Sequence, residues 1–298
     1  MPDDATVQRA AGQRNDAVPT PPGQATKLAA QIEAAVSLIR GRRLAVLTGA
    51  GVSTDSGIPD YRGEGAPARS PMTFSQFLES EAYRRRYWAG SHLGWRAFSA
   101  ASPNPGHDAL ARLEAGGVSN GVITQNVDGL HLRAGSAHVV DLHGSMDRVR
   151  CLDCGQFFAR TAIAETIVAA NPWLEQPGSV ELGPDGDVAP GQLAHFTIPQ
   201  CTVCGGTLKP DVVFFGEFVP VERFAEARAL VQSADVLLVA GSSLVVNSGV
   251  RLLEAAHRRK APVIIVNRGV TKGDGRAALK IDAGTTPTLV GLAERLLT

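Results

Sequence analysis

All four cysteines of this 298-residue chain stand in two C-x-x-C knuckles, Cys151-Leu-Asp-Cys154 and Cys201-Thr-Val-Cys204. Each knuckle presents two sulfurs on one side of a tight turn, and two knuckles make the thiolate tetrahedron that zinc prefers. Gly155 and Gly205 follow the knuckles and ease those turns. The stretch between the knuckles is longer than in a minimal zinc ribbon, so a pair of redox dithiols is the competing reading. Four thiolates leave zinc no open position. The metal would stabilise its module and not activate water.

A second group of reactive types lies at the mouth of an apolar run. Val122-Ile123-Thr124 reads as buried strand, and Gln125, Asn126, Val127, Asp128 and a glycine follow at once. Such crowding either satisfies a turn or grips a polar ligand. "TGAGVSTDSGIPDYR" (48–62) follows another apolar run. There Gly49 and Gly51 let backbone approach a pyrophosphate, and a helix beginning beyond them could hold its charge. Thr54 stands where G-x-G-x-x-G needs its third glycine, and no acidic residue ends a following strand, so a dehydrogenase site is disfavoured. Of the seven histidines, His143 is best placed at a strand end, where imidazole could take a proton from a hydroxyl. His107, His131 and His138 are read as residues of the fold.

These groups need a scaffold. Leu28, Ile32, Val36 and Ile39 recur at helical spacing and predict a helix over 26–40. Strands are expected in 43–51, running into a glycine turn, and in 121–125, 138–144, 235–241 and 261–267. Helices are expected over 107–117, near 249–259 and near 286–297. Short apolar strands alternating with helices indicate a doubly wound α/β sheet, which binds ligands at the carboxyl ends of its strands. "TGAGVS", "DLHGS", "AGSSLV" and "VNRG" all sit at such ends. Residues 61–103, with Tyr83, Tyr87, Trp88, Trp95 and Phe98, read as a small helical module. Residues 147–211 read as an inserted module holding the cysteines, and 1–26 as a flexible arm.

Lys plus Arg and Asp plus Glu both number 29, so no global field exists to hold nucleic acid or an anionic membrane. Arg84-Arg85-Arg86 sits beside Glu79 and Glu81 and reads as a solvated helix face. No apolar run approaches the ~20 residues of a spanning helix, and no secretory signal pattern opens the chain. A cytoplasmic location is expected, where structural disulfides are disfavoured.

Taken together, "GAGVSTDSGIPDYR", "TQNVDGLH", "LHG" before the paired knuckles, "KPDVVFFGE", "GSSLVV" and "VNRGVTKGD" resemble the sirtuin family of NAD-dependent protein deacylases over roughly 28–298. "NRGVTKGD" and the "YRGEG" loop look closest to the mitochondrial and bacterial class II branch. The resemblance implies a Rossmann-like NAD-binding domain (27–60, 104–146 and 212–298) beside a smaller zinc-binding and helical part. It implies that Gly49, Ala50, Gly51, Ser53 and the loop through Asp60, Tyr61 and Arg62 wrap the nicotinamide ribose and phosphates. Gln125, Asn126 and Val127 would meet the ribose, and Asp128 the nicotinamide carboxamide. Gly241, Ser242, Ser243, Asn267, Arg268 and Gly269 would hold the adenosine half, with Thr285 near adenine. Val212, Phe214 and Gly216 would line the acyl-lysine tunnel. His143 would be the general base, with Asn126 a second catalytic residue, giving nicotinamide, free lysine and 2′-O-acyl-ADP-ribose from acylated-lysine proteins.

Two departures stand out. Val270 replaces a frequent proline, and the loop after Arg62 holds no Tyr-x-x-Arg pair of the kind that marks a preference for acidic acyl groups, so weak desuccinylase activity is expected. A protein mono-ADP-ribosyltransferase and a non-catalytic reader of NAD or acyl-lysine are the rival readings. The oligomeric state is not legible.

Overall fold

The runs LAVLT, VLLVA and VIIV are apolar throughout, as strands covered on both faces must be. The computed structural model describes residues 22–60, 71–175 and 193–298. The expectations for the arm before Pro22, for Tyr61 and Arg62, and for 176–192 lie outside those residues. In chain order the strands are β1 (Leu44–Thr48), β2 (Ser119–Thr124), β3 (Val139–Asp141), β4 (Gly144–Cys151), β5 (Phe157–Ala159), β6 (Leu208–Val212), β7 (Val236–Ala240), β8 (Val263–Val266) and β9 (Leu279–Ile281). The helices are α1 (Pro22–Ile39), α2 (Phe74–Glu79), α3 (Glu81–Ala100), α4 (Pro105–Ala115), α5 (Leu130–Arg133), α6 (Arg160–Ala170), α7 (Val221–Ser233), α8 (Asn247–Arg258) and α9 (Thr285–Leu296).

Six strands form one parallel sheet in the order β3-β2-β1-β7-β8-β9. Successive residues of a strand point to opposite faces. Val46, Val122, Leu238 and Ile264 meet Ile39 of α1, Leu110 of α4 and Leu289 of α9 on one face. Leu47, Ile123, Val239 and Ile265 meet Leu230 of α7 and Leu252 of α8 on the other. This is the doubly wound arrangement expected. From β1 the chain winds outward through β2 and β3, and from β7 outward through β8 and β9. The switch point therefore lies between the ends of β1 and β7, where such sheets leave a crevice.

A three-stranded antiparallel sheet, β5-β4-β6, carries the cysteines. It packs with α6 against Trp88 of α3 around Val149, Ile163, Ile167, Phe196 and Leu208. β4 starts at Gly144, ahead of the boundary at 147 read from the sequence. α1 starts at Pro22, so the last residues ascribed to the arm are helical; proline is tolerated in a first turn because its missing N–H has no helical partner there. Among the described residues no helix is long and apolar enough to cross a membrane.

Candidate active site

At the switch point the two strand ends touch through backbone. A Cβ on Gly49 would lie 2.7 Å from the Gly241 carbonyl oxygen, and one on Gly51 2.8 Å from Gly241 Cα. Gly241 itself has φ +65°, and its Cβ would come within 2.5 Å of the Val52 nitrogen. The glycines are thus required by contact between the two turns, whatever binds above them. Contrary to the helix expected from the sequence, no α-helix begins among the described residues between the glycines and Asp60; the chain makes two single 3-10 turns, Ala50–Val52 and Thr54–Ser56. Ser53, fully buried, is tied inward by its side chain, and Gly57 turns left-handed at φ +82° ahead of Pro59, which stops a helix from propagating. The helix N-terminus at the turn comes instead from α9. Thr285, first residue of α9, donates its hydroxyl to the Gly51 carbonyl at 2.9 Å.

The mouth of β2 is a connected polar network. Asn126 Nδ2 donates to the Gly49 carbonyl (3.1 Å) and to Ser53 Oγ (3.0 Å). The Ser53 hydroxyl donates to Asp128 Oδ2 at 2.7 Å, while the Leu130 N–H holds Oδ1 at 3.0 Å. Asp128 is therefore a fixed, buried acceptor. His107, read from sequence as a fold residue, joins this network. The Asn104 N–H donates to its Nδ1, so its Nε2–H faces Ser53 Oγ at 3.5 Å. Asn104 also caps α4 and donates to the Val52 carbonyl. His131 packs against His107 with ring centroids 4.8 Å apart and the planes tilted by 58°. Thr48 gives its proton to Thr124, so His131 Nε2–H donates to Thr48 at 2.9 Å and Nδ1 is left with no partner. Burial pushes the imidazolium form of His131 down to a pKa of about 3. Burial likewise lowers His107, against the pull of Asp128.

His143 sits between β3 and β4. Its Nδ1 is 3.0 Å from the Gln125 carbonyl, which only accepts, so Nδ1 carries the proton and Nε2 a bare lone pair. Ser248 Oγ lies 2.8 Å from that lone pair. Burial lowers the His143 pKa, the Gln125 carbonyl partly restores it, and Arg223 lowers it further. The ring is therefore neutral at pH 7. Gln125 itself accepts from the Ser242 hydroxyl at 2.6 Å through its side-chain oxygen.

The segment after β6 runs beside this histidine. The Val213 N–H donates to the His143 carbonyl at 2.8 Å, and Val212 pairs with Gly144. Gly144 has φ +85°, and a Cβ there would overlap the Asp211 carbonyl oxygen at 1.8 Å. Phe214 is buried against Phe77 and Tyr87, with centroids 5.3 and 4.9 Å away. Lys209, buried beneath it, bonds the Val212 carbonyl (2.6 Å) and Glu217 (3.0 Å), whose carboxylate takes the Phe214 N–H. Gly216 is exposed at φ +80°.

At the far end of the crevice, Asn267 follows β8 and donates to the Arg268 carbonyl at 2.7 Å. Gly269, at φ +74°, is held by Asp282 and Lys280. Ala50, Asp60, Val127 and Ser243 are partly exposed around the crevice, and Arg268 is open to solvent.

The cysteine knuckles close on one another. Their four sulfurs lie within 4.8 Å of each other, with Cys151–Cys204 at 3.6 Å and Cys154–Cys201 at 3.7 Å. A disulfide needs about 2.05 Å. A tetrahedron of Zn–S bonds of ~2.3 Å puts sulfurs about 3.8 Å apart, so the donor set fits zinc. Gly155 and Gly205 adopt φ +76° and +73°, as the turns require.

His107, Asn104, Lys209 and Ser248 belong to the site through contacts that neither their residue types nor their spacing announce. Asn followed by Pro is a helix-start pattern, as at Asn104-Pro105, but the reach of Asn104 to Val52 is a contact between distant segments.

Residues 49–248 match the sequence profile of the Sir2 family. The chain is 51% identical over 265 residues to NAD-dependent protein deacetylase 1 of Mycobacterium avium (strain 104), covering 88% of this chain and 94% of that protein. It is 46% identical over 250 residues to the NAD-dependent protein lipoamidase sirtuin-4, mitochondrial, of Bos taurus, covering 81% of this chain and 79% of that one. Among solved structures it is similar to "Sir2-p53 peptide-NAD+" at TM-score 0.73 and 29% identity, over 89% of this chain and 98% of the other. A second likeness, to "Sir2 bound to acetylated peptide", has TM-score 0.70 and 28% identity, over 89% and 98%.

Proposed function

The chain belongs to the Sir2 family, and from that membership we infer that it is an NAD-dependent protein deacylase, near the branch of bacterial deacetylases and sirtuin-4. Its substrates are acylated-lysine proteins, in keeping with relatives solved with an acetylated peptide and with a peptide and NAD. In this reading 27–60, 104–146 and 212–298 form the dinucleotide-binding domain. Residues 61–103 and 147–211 form the helical and zinc modules.

One observation carries the assignment of roles. The His143 lone pair, the Asn126–Ser53–Asp128 network and the Val212–Gly216 segment are joined by direct hydrogen bonds or strand pairing around one switch point. Bound NAD supplies a ribose carbon made electrophilic by departure of its nicotinamide. Asp128, its oxygens fixed by Ser53 and Leu130, accepts from the nicotinamide carboxamide and orients it. Asn126 and Gln125 meet the ribose. Val212, Phe214 and Gly216 guide the acyl-lysine, whose peptide pairs as an added strand. His143 Nε2 takes a proton from a ribose hydroxyl, so that this oxygen can capture the acyl carbon. Gly49, Ala50, Gly51, Ser53 and the loop through Asp60, Tyr61 and Arg62 wrap the phosphates and proximal ribose. Gly241, Ser242, Ser243, Asn267, Arg268, Gly269 and Thr285 hold the adenosine half. The four thiolates hold zinc as a structural ion and take no part in the reaction.

The test is NAD with acetyl-, succinyl- and longer aliphatic acyl-lysine peptides, read by mass spectrometry, with His143→Ala alongside. Nicotinamide, free lysine and acyl-ADP-ribose should form, slowest from the succinyl peptide. The substitution should cost roughly 10²–10⁴ in rate. ADP-ribose attached to protein as the main product would make the chain a transferase, and full activity in His143→Ala would remove the base.

A further inference from the structure

Ser248 lies in the first turn of α8, yet its hydroxyl is not used by the helix. The N-cap is Val246, which makes no side-chain cap. The hydroxyl instead crosses the crevice to His143 Nε2 at 2.8 Å, joining residues 105 positions apart. The direction of this bond is fixed. The Gln125 carbonyl takes the Nδ1 proton, so Nε2 can only accept and Ser248 must donate. Two local features aim α8 at the ring. Leu244 holds a left-handed φ of +54°, uncommon for a side chain with a Cβ, just where the chain leaves β7 for α8. Gly249 lets the turn sit against Gln125, since a Cβ there would lie 3.0 Å from its Nε2 and 3.2 Å from Leu244 Cδ2. One helix turn thereby clamps both the base and the residue that sets its tautomer.

We propose that Ser248 is a positioning residue for His143: its hydroxyl fixes the ring, and holds down its proton affinity until a ribose hydroxyl takes over the same lone pair. The inference rests on reading His143 as the base. A donor on Nε2 stabilises neutral imidazole and disfavours imidazolium. When a ribose hydroxyl arrives, rotation about the serine χ1 frees the lone pair. The proton moves from the ribose oxygen to Nε2, while the other ring proton stays on Nδ1, hydrogen-bonded to the Gln125 carbonyl. Of the charged groups around the ring, Arg223 also disfavours imidazolium, but through space and not by a hydrogen bond to Nε2. Arg223 of α7 is paired with Asp211 of β6, which also binds Arg148 of β4, and Arg148 reaches Asp141 of β3. Arg251 of α8 stacks on Phe224 at 4.1 Å.

Ser248→Ala and Ser248→Thr in the full-length protein test this, by histidine ¹⁵N NMR titration and pH–rate profiles. In Ser248→Ala the His143 pKa should rise by about half to one unit, the size of a neutral hydrogen bond. The acidic limb of kcat/KM, which reports free enzyme, should move up with it, and the limb of kcat should move less. Ser248→Thr keeps the hydroxyl and should restore both. An unchanged pKa in Ser248→Ala, or a rise that threonine fails to reverse, overturns the proposal. The NMR readout needs no turnover, so it stands apart from the fate of the base assignment, which His143→Ala decides.

Discussion

Every residue of β1, β7 and β8 is buried, whereas β4 alternates buried Val149 and Cys151 with exposed Arg148 and Arg150, and β5 is mostly open. The large sheet has helices on both faces and removes apolar surface from water on each. The small sheet shares one apolar cluster with α3 and α6, and two of that cluster's members are Cys151 and Cys201. A region with so little to bury needs another source of cohesion, and four thiolates around one ion provide it. The residues proposed for the reaction gather where the regions meet: His143 follows β3 of the parallel sheet, and Gly144 opens β4 of the antiparallel one.

The contrast is broken most completely at the sulfurs. Cys201→Ser should abolish binding of one zinc per chain and erase amide-exchange protection across β4, β5 and β6, while β1, β7 and β8 stay protected. A metal-free wild type with an intact small sheet would dissolve the distinction. Less severe is Leu238→Ala, at a fully buried site in β7. It should cost about 2–5 kcal/mol in urea unfolding and leave zinc content unchanged. Zinc lost in parallel would mean that the two regions unfold as one. Per pH unit, acid gives the smallest effect, and it sharpens the comparison by route. His131 has a pKa of about 3 in the fold against 6.5 unfolded. Between those values the unfolded chain binds the extra proton, so stability is full above pH 6.5 and falls as pH drops toward 3, by about 1.4 kcal/mol per unit. His131→Gln should flatten that slope for the parallel sheet, as measured by urea unfolding at successive pH values. An unaltered slope would remove His131 as its source.

The same difference decides what a reader of the sequence can see. Strands buried on both faces spell themselves as unbroken apolar runs, so β1, β2, β3, β7 and β8 are each legible, with ends off by up to three residues. β4 reads GSMDRVRC, with charges on its open face and a register shift between Gly144 and Val149, and passes for loop. β9, three residues long, gives too little pattern to find. In the site, the cysteines declare their chemistry through spacing alone. Asn126, Asp128 and His143 are visible as polar types at strand ends. Ser248 and Lys209 are not, because what marks them is a partner brought near by folding. The expected helix after Gly51 failed for a related reason. Glycine followed by small residues suggests a helix start, but the buried bond from Ser53 to Asp128 draws that segment into tight turns.

The seam of Gly49 and Gly51 against Gly241 is where the two windings of the sheet abut with no side chain between them. Anyone retargeting this scaffold to another dinucleotide should treat the three positions as closed to mutagenesis libraries, since the first carbon added pries the halves apart. Diversity has to be introduced at the rim, where Asn267, Arg268 and Ser243 have room to vary.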